Sequence, residues 1–106
     1  MNGGSIMDVK VQAVHFKADQ KLIEFCEKKV NKLDLFFDGI IGADIVLKLV
    51  NDEEKENKVS EIKLSVPSNE NLFAKKQART FEEATDLAID ALRRQLKKYK
   101  EKLKAK

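Results

Sequence analysis

Val9-Lys10-Val11-Gln12-Ala13-Val14-His15-Phe16 gives way to Lys17-Ala18-Asp19, and the change of period at that join decides the fold. Val9, Val11 and Ala13 alternate with Lys10 and Gln12. A period of two is that of a half-buried strand. Val14 and Phe16 interrupt the polar face, and the strand is expected over Met7–Phe16. Asp19 then offers a carboxylate to the orphan amides of a helix start. Leu22, Ile23, Cys26, Val30 and Leu33 follow at helical spacing, which predicts a helix from about Asp19 to Leu35. A strand feeding a helix in this way calls for a second strand parallel to the first, reached by a right-handed crossover.

Reading outward, Asp38-Gly39 and Gly42 are turn residues, and Ile41, Ala43, Ile45, Leu47 and Leu49 alternate. They predict that second strand, from about Ile40 to Val50. Asn51–Asn57 is a charged loop. Val59–Val66 is a third strand with Ile62, Leu64 and Val66 on one face. Pro67–Asn71 is a turn, because Pro67 lacks the amide that a central strand needs. Leu72–Arg79 is a weaker fourth strand, in which Leu72, Ala74 and Ala78 compete with Phe73 for the inward face. Thr80-Phe81-Glu82-Glu83 has the form of a capping box. A long helix follows, with Phe81, Ala84, Ala88, Ala91, Leu92, Leu96, Tyr99 and Leu103 on one stripe. The fold class is α+β, in the order β-α-β-β-β-α. It has a four-stranded mixed sheet, with both helices on one face because their apolar stripes need the same cover.

A length of 106 residues suits one domain. It is placed at residues 7–106, with residues 1–6 read as a leader or remnant outside the fold. Charged residues make up 37% of the chain and apolar residues 42%, so a core is expected beneath a dense ionic surface. One cysteine and one histidine exclude a disulfide framework, a cysteine-built zinc site and a histidine pair for a metal. No apolar run is long enough to span a membrane, and the first residues lack signal-peptide order. A cytoplasmic protein is expected.

Catalytic chemistry has no foothold. Nucleophilic catalysis needs a base beside the nucleophile, whereas Cys26 lies on the apolar stripe and reads as an inert core thiol. His15, at a strand end, reads as part-exposed or tied to backbone, with an RNA-facing donor as the alternative. Glu53/Glu54 and Glu82/Glu83 are sequence neighbours that do not converge, and Glu82/Glu83 suit a helix N-terminus. Gly39-Ile40-Ile41-Gly42 formally matches the GXXG of the KH domain but brackets a strand start, and the chain has no P-loop. The expectation is a non-enzyme without cofactor, metal or small-molecule substrate.

Net charge is only +3, but its distribution is uneven. Residues 51–70 hold three basic and six acidic side chains, while residues 93–106 hold eight basic and one acidic. Arg93, Lys97, Lys100 and Lys104 stand at i, i+4, i+7 and i+11, one stripe roughly opposite the Ala88/Leu92/Tyr99 core stripe. Arg94, Lys98 and Lys102 flank it. In the first helix Lys21, Lys28 and Lys32 form another line, with Lys29 nearby. With both helices on one sheet face, the two lines can share a surface able to engage several phosphates. Lys75, Lys76 and Arg79 add a third cluster on the fourth strand. The bland alternative is solvation, and complementing of the helix dipole by lysines near a C-terminus.

With this order and this basic end, the chain resembles the short ribosome hibernation promoting factors, also called ribosome-associated inhibitor A or sigma-factor modulation proteins. Val9–Phe16 with the Asp19 helix start carries part of the likeness. Glu27-Lys28-Lys29-Val30-Asn31-Lys32-Leu33 is similar to the basic, leucine-bearing end of the family's first helix. Thr80–Asp90 is similar to its acidic, alanine-rich entry to the last helix, and Arg93-Arg94-Gln95-Leu96-Lys97-Lys98-Tyr99-Lys100 to its basic exit. The likeness covers about residues 7–104. It implies a protein that binds the small ribosomal subunit between head and body, occupies the path of messenger and transfer RNA, and silences idle ribosomes. Its partner is then ribosomal RNA. Lys21, Lys28, Lys32, Arg93, Lys97 and Lys100 are the preferred phosphate contacts. Longer relatives carry a C-terminal dimerisation domain. With the chain ending at Lys106, ribosome pairing through its own tail is not expected, although a separate partner could pair ribosomes; a monomer away from the ribosome is expected.

Two other readings compete. A general double-stranded-RNA binder would read α-β-β-β-α, without the first strand. A protein-interaction domain would use the open sheet face, where Val14, Phe16, Val46 and Val50 are expected to form an apolar patch.

Overall fold

The alternation and the capping signals fix where each element starts, and the computed structural model follows them closely. It describes residues 7–51, 53, 55–68 and 70–104. Residues 1–6 lie outside the described residues, as do Asp52 and Glu54 of the charged loop and Asn69 of the turn. Strand β1 is Asp8–Val14 and helix α1 is Gln20–Asn31, tightening into a 3-10 turn over Lys32–Leu35. Strands β2, β3 and β4 are Gly42–Leu49, Lys58–Val66 and Glu70–Ala78, and helix α2 is Phe81–Lys104. Both caps are made. The Asp19 carboxylate accepts from the Leu22 amide at 2.8 Å, and the Thr80 hydroxyl accepts from the Glu83 amide at 3.0 Å.

The sheet runs β1-β2-β3-β4, with β1 and β2 parallel and the other pairs antiparallel. Ile45 stands opposite Val11 on one side and Ile62 on the other, and Ile62 stands opposite Ala74. This register settles the competition within β4. Ala74 and Ala78 turn inward and are buried. Phe73, opposite Lys63, turns outward and is 52% exposed. Two small residues on β4 let α2 approach the sheet closely. Ala43, Ile45, Leu47, Ile62, Leu64 and Val66 form the floor of the core, and Cys26, Val30, Ala88, Leu92 and Leu96 form its roof.

Two expectations are corrected in detail. The first strand stops two residues early because His15 has φ 70°, in the left-handed region. Its ring nitrogen Nδ1 lies 3.3 Å from the Leu49 carbonyl oxygen. The backbone reversal also carries Phe16 off the open face. Its ring stacks on Phe81 at the start of α2, with centroids 4.3 Å apart and planes at 11°, so Phe16 cannot belong to an apolar patch on the other side of the sheet. That open face also carries charges. Glu61 receives Lys48 at 3.0 Å and Lys75 at 3.7 Å, and Asp44 receives Lys63 at 3.9 Å. As expected, Gly39 and Gly42 bracket a strand start, Gly39 in the turn and Gly42 as the first residue of β2. A Cβ on Gly42 would come within 2.9 Å of the Asp8 carbonyl oxygen, so the parallel pairing itself requires glycine there.

Cys26 is fully buried, as its place on the stripe implies. Its sulfur is 3.8 Å from the Thr85 hydroxyl, which donates to Ser60 at 3.1 Å. Burial pushes the thiol above its ordinary value, the Thr85 bond pulls the other way, and the carboxylates of Glu82 and Glu27 add to the rise.

Candidate nucleic-acid interface

Helix α2 keeps its basic line on the flank that faces α1 and the 3-10 turn. Arg93, Arg94, Lys97, Lys100 and Lys104 border a shallow hollow of about 540 Å³ together with Glu101 and Phe36. At 1.5 Å per residue the line from Arg93 to Lys104 is about 16 Å long. Asp90 binds both arginines, each at 2.5 Å, and so fixes the base of the line while its single negative charge offsets one of the two guanidinium charges there. Lys97, Lys100 and Lys104 are exposed and have no ion pair among the described residues. A run of unpartnered ammonium groups is open to external anions.

A second hollow of about 380 Å³ lies between the helices and joins the two lysine lines. Lys29, Lys32, Asp86, Asp90 and Arg93 share it with Leu33, Leu35, Phe36 and Ile89. The expected common surface therefore meets at Lys32 and Arg93. Lys29 is drawn inward there. Its ammonium lies 3.4 Å from Asp86 of α2 and 5.4 Å from the Phe25 ring centroid, so it straps the two helices together. Lys21 and Lys28 are exposed farther along the α1 line and border neither hollow.

The remaining candidates point elsewhere. Lys98 turns to the opposite flank of α2, beside Glu70, Leu72, Gln95 and Lys102. The cluster expected on the fourth strand is split. Lys75 is on the open sheet face, paired with Glu61. Lys76, one residue on, points to the other face and is exposed. Arg79 borders a separate hollow with Glu53, Lys55, Glu56 and Gln77, where the Gln77 amide donates to the Glu56 carbonyl. Strand alternation alone forbids Lys75 and Lys76 from sharing a surface.

Sequence reasoning missed Phe36. Neither Phe36 nor Phe37 is assigned a role by the sequence pattern; of Leu35, Phe36 and Phe37 only Phe37 turns inward, with its ring edge-on to Tyr99 at 5.2 Å. Leu35 is 82% exposed and Phe36 40% exposed. The Phe36 ring centroid lies 5.7 Å from the Arg93 guanidinium carbon, and Phe36 borders both hollows. The available signal was the run itself. Three consecutive large apolar residues at the end of a 3-10 turn cannot all face one core.

Among the described residues, no group of three or more His, Cys, Asp or Glu is placed to hold a metal ion. No helix among them is long and apolar enough to cross a membrane. What the α2 flank offers is charge and the part-exposed ring of Phe36.

Comparison with known proteins adds a lineage. The family described as Sigma 54 modulation protein / S30EA ribosomal protein matches residues 9–104. The ribosome hibernation promoting factor of Escherichia coli K12 is 34% identical over 98 residues, covering 92% of this chain and 98% of the relative. That of Pseudomonas putida is 31% identical over 96 residues, covering 91% and 89%. The ribosome hibernation promotion factor of Bacillus subtilis is 28% identical over 101 residues, and the match spans 94% of this chain but only 52% of that protein. Among solved structures, the N-terminal domain of Thermus thermophilus Protein Y superposes with a TM-score of 0.75 at 24% identity, covering 88% of this chain and 99% of that one. A ribosomal subunit interface protein from Coxiella burnetii gives 0.78 at 22% identity, covering 89% and 98%. Both share this fold.

Proposed function

Because the chain belongs to the family described as Sigma 54 modulation protein / S30EA ribosomal protein, we propose that it is a ribosome hibernation factor. It binds the small ribosomal subunit as a single copy, lies in the path of messenger and transfer RNA, and silences idle ribosomes by occupying that path. The names of its relatives support the hibernation role. The observation that carries an RNA-facing surface is the line Arg93–Lys97–Lys100–Lys104, of which the three lysines are exposed and unpaired among the described residues. Phosphate contacts of this kind supply affinity and orientation without a chemical step. Arg93 and Arg94, fixed by Asp90, offer planar donors suited to bidentate phosphate binding. Lys21, Lys28 and Lys32 extend the surface along α1. Lys98, Lys75, Lys76 and Arg79 are left to secondary contacts, because they do not share that wall.

Sedimentation with purified ribosomal subunits across a salt series tests this reading. The protein is expected to travel with the small subunit and to leave it as salt rises. Changing Arg93, Lys97 and Lys100 together to Glu should abolish co-sedimentation, while circular dichroism shows an intact fold. Undiminished binding by that triple variant would overturn the assignment of the surface. Equal affinity for a free RNA duplex would instead favour a general double-stranded-RNA binder.

A further inference from the structure

We infer that Phe36 is a stacking platform for one unstacked nucleobase of a single-stranded RNA segment, whose neighbouring phosphates lie along Arg93, Lys97 and Lys100. The inference rests on the RNA-facing reading of α2 and names the chemistry which that face selects. Phe36 follows the 3-10 turn between the buried Leu33 and Phe37, which is partly buried against the core with its ring edge-on to Tyr99. The ring is thus presented outward by rigid structure. The hollow that it borders has five cationic side chains and one carboxylate, Glu101. A flat apolar surface inside a cationic rim matches a ligand that is itself a flat ring on an anionic backbone. Aromatic stacking with basic tracking of the phosphates is the usual composition of single-strand sites.

The geometry also discriminates between nucleic acids. A duplex keeps its bases stacked inside and cannot lay one on Phe36, whereas a splayed single strand can. The guanidinium of Arg93 lies 5.7 Å from the ring and is anchored by Asp90. It lies over one face of the ring in a cation–π contact, so a base stacks on the other face or continues the stack on the guanidinium itself, because bases also stack on arginine. Leu35, 82% exposed next to the ring, widens the apolar edge. An acidic peptide would satisfy the cations but leave the ring uncovered.

Fluorescence anisotropy with the full chain tests the site. The probes are an oligo-adenylate of about eight nucleotides, the same backbone with abasic sugars, an RNA duplex of equal length and a poly-glutamate peptide. Oligo-adenylate should bind about tenfold more tightly than the abasic strand, the worth of one stacked base. Phe36→Leu should erase that preference and leave the salt dependence unchanged, since its cations are intact. Phe36→Tyr, which keeps a ring, should retain the preference. Equal affinity of the unaltered protein for adenylate and abasic strands, retained preference in Phe36→Leu, or poly-glutamate binding as well as adenylate would each overturn the site. Ribosome co-sedimentation separates the two readings. Small-subunit binding without a base preference removes the stacking site alone, whereas a base preference without small-subunit binding removes the ribosomal role.

Discussion

Cys26 shows how a single residue can be placed by its neighbours. Ile23 and Val30 on the same apolar stripe mark it as a core thiol, and it is sealed under α2. The stripe could not reveal Thr85, whose hydroxyl bridges Cys26 and Ser60 from a different helix and a different strand. Burial raises the folded-state thiol above the ordinary 9.0. The unfolded chain therefore loses this proton first as pH rises, and the thiol's contribution to stability, complete below 9.0, is lost through the window above it. Urea midpoints from about pH 8 to about pH 10 should fall more steeply for the parent protein than for Cys26→Ala, in which that proton is gone. Cys26→Ala will also lower the midpoint at every pH because it leaves a small cavity, so the slopes are compared, not the levels. Identical slopes would mean that the buried thiol is not linked to folding. Before unfolding, a disulfide reagent should find the sulfur unreactive, because the thiolate is the nucleophile.

At the scale of elements, the caps were the most legible feature. Each is a local arrangement spanning three or four residues. Asp19→Ala and Thr80→Ala each remove the acceptor for a helix-start amide. Each should cost about 0.5–2 kcal/mol in urea denaturation without altering the denaturant dependence. Thr80→Asp should restore most of the second loss, because a carboxylate caps equally well and complements the helix dipole. Strands were legible where alternation was clean, as in β2 and β3. In β4 the sequence offered two equivalent faces, and only pairing with β3 chose between them, putting Ala74 opposite the buried Ile62. The end of β1 was hidden for another reason. A positive φ at a histidine has no compositional signal, and it alone decides that Phe16 meets Phe81. The α2 stripe was correctly read as one line, because helical spacing is a property of the chain itself. Its relation to Phe36 depended on how the two helices lie on the sheet, which no local pattern encodes.

Over the whole molecule the distribution of charge sets function against stability. On the open sheet face, charges are interleaved and paired, as Glu61 with Lys48 and Lys75 shows. On α2 they are not. Arg93 and Lys97, Lys100 and Lys104, and Arg94 and Lys98 are like charges one helical turn apart, and each such pair costs a few tenths of a kcal/mol. Among the described residues Asp90 makes the ion pairs near the start of the line, and Lys102 reaches away to Glu70 at 3.7 Å. The fold tolerates this because the opposite face of the helix is anchored by Leu92, Leu96 and Tyr99, whose hydroxyl also donates to the Pro67 carbonyl at 2.9 Å. Replacing Lys97 and Lys100 by Gln should therefore raise the low-salt denaturation midpoint slightly. The gain should vanish as added salt shortens the screening length below the spacing of the charges. The same variant should lose RNA affinity, and its dependence of log affinity on log salt should become shallower by about 1.4–1.8, two phosphate contacts' worth. A lower midpoint at low salt would show that these lysines support the fold. An unchanged salt dependence would show that they solvate the helix and do not touch phosphate. The opposite signs of the two effects, more stable and more weakly bound, distinguish a surface built for a polyanion from one that is merely soluble.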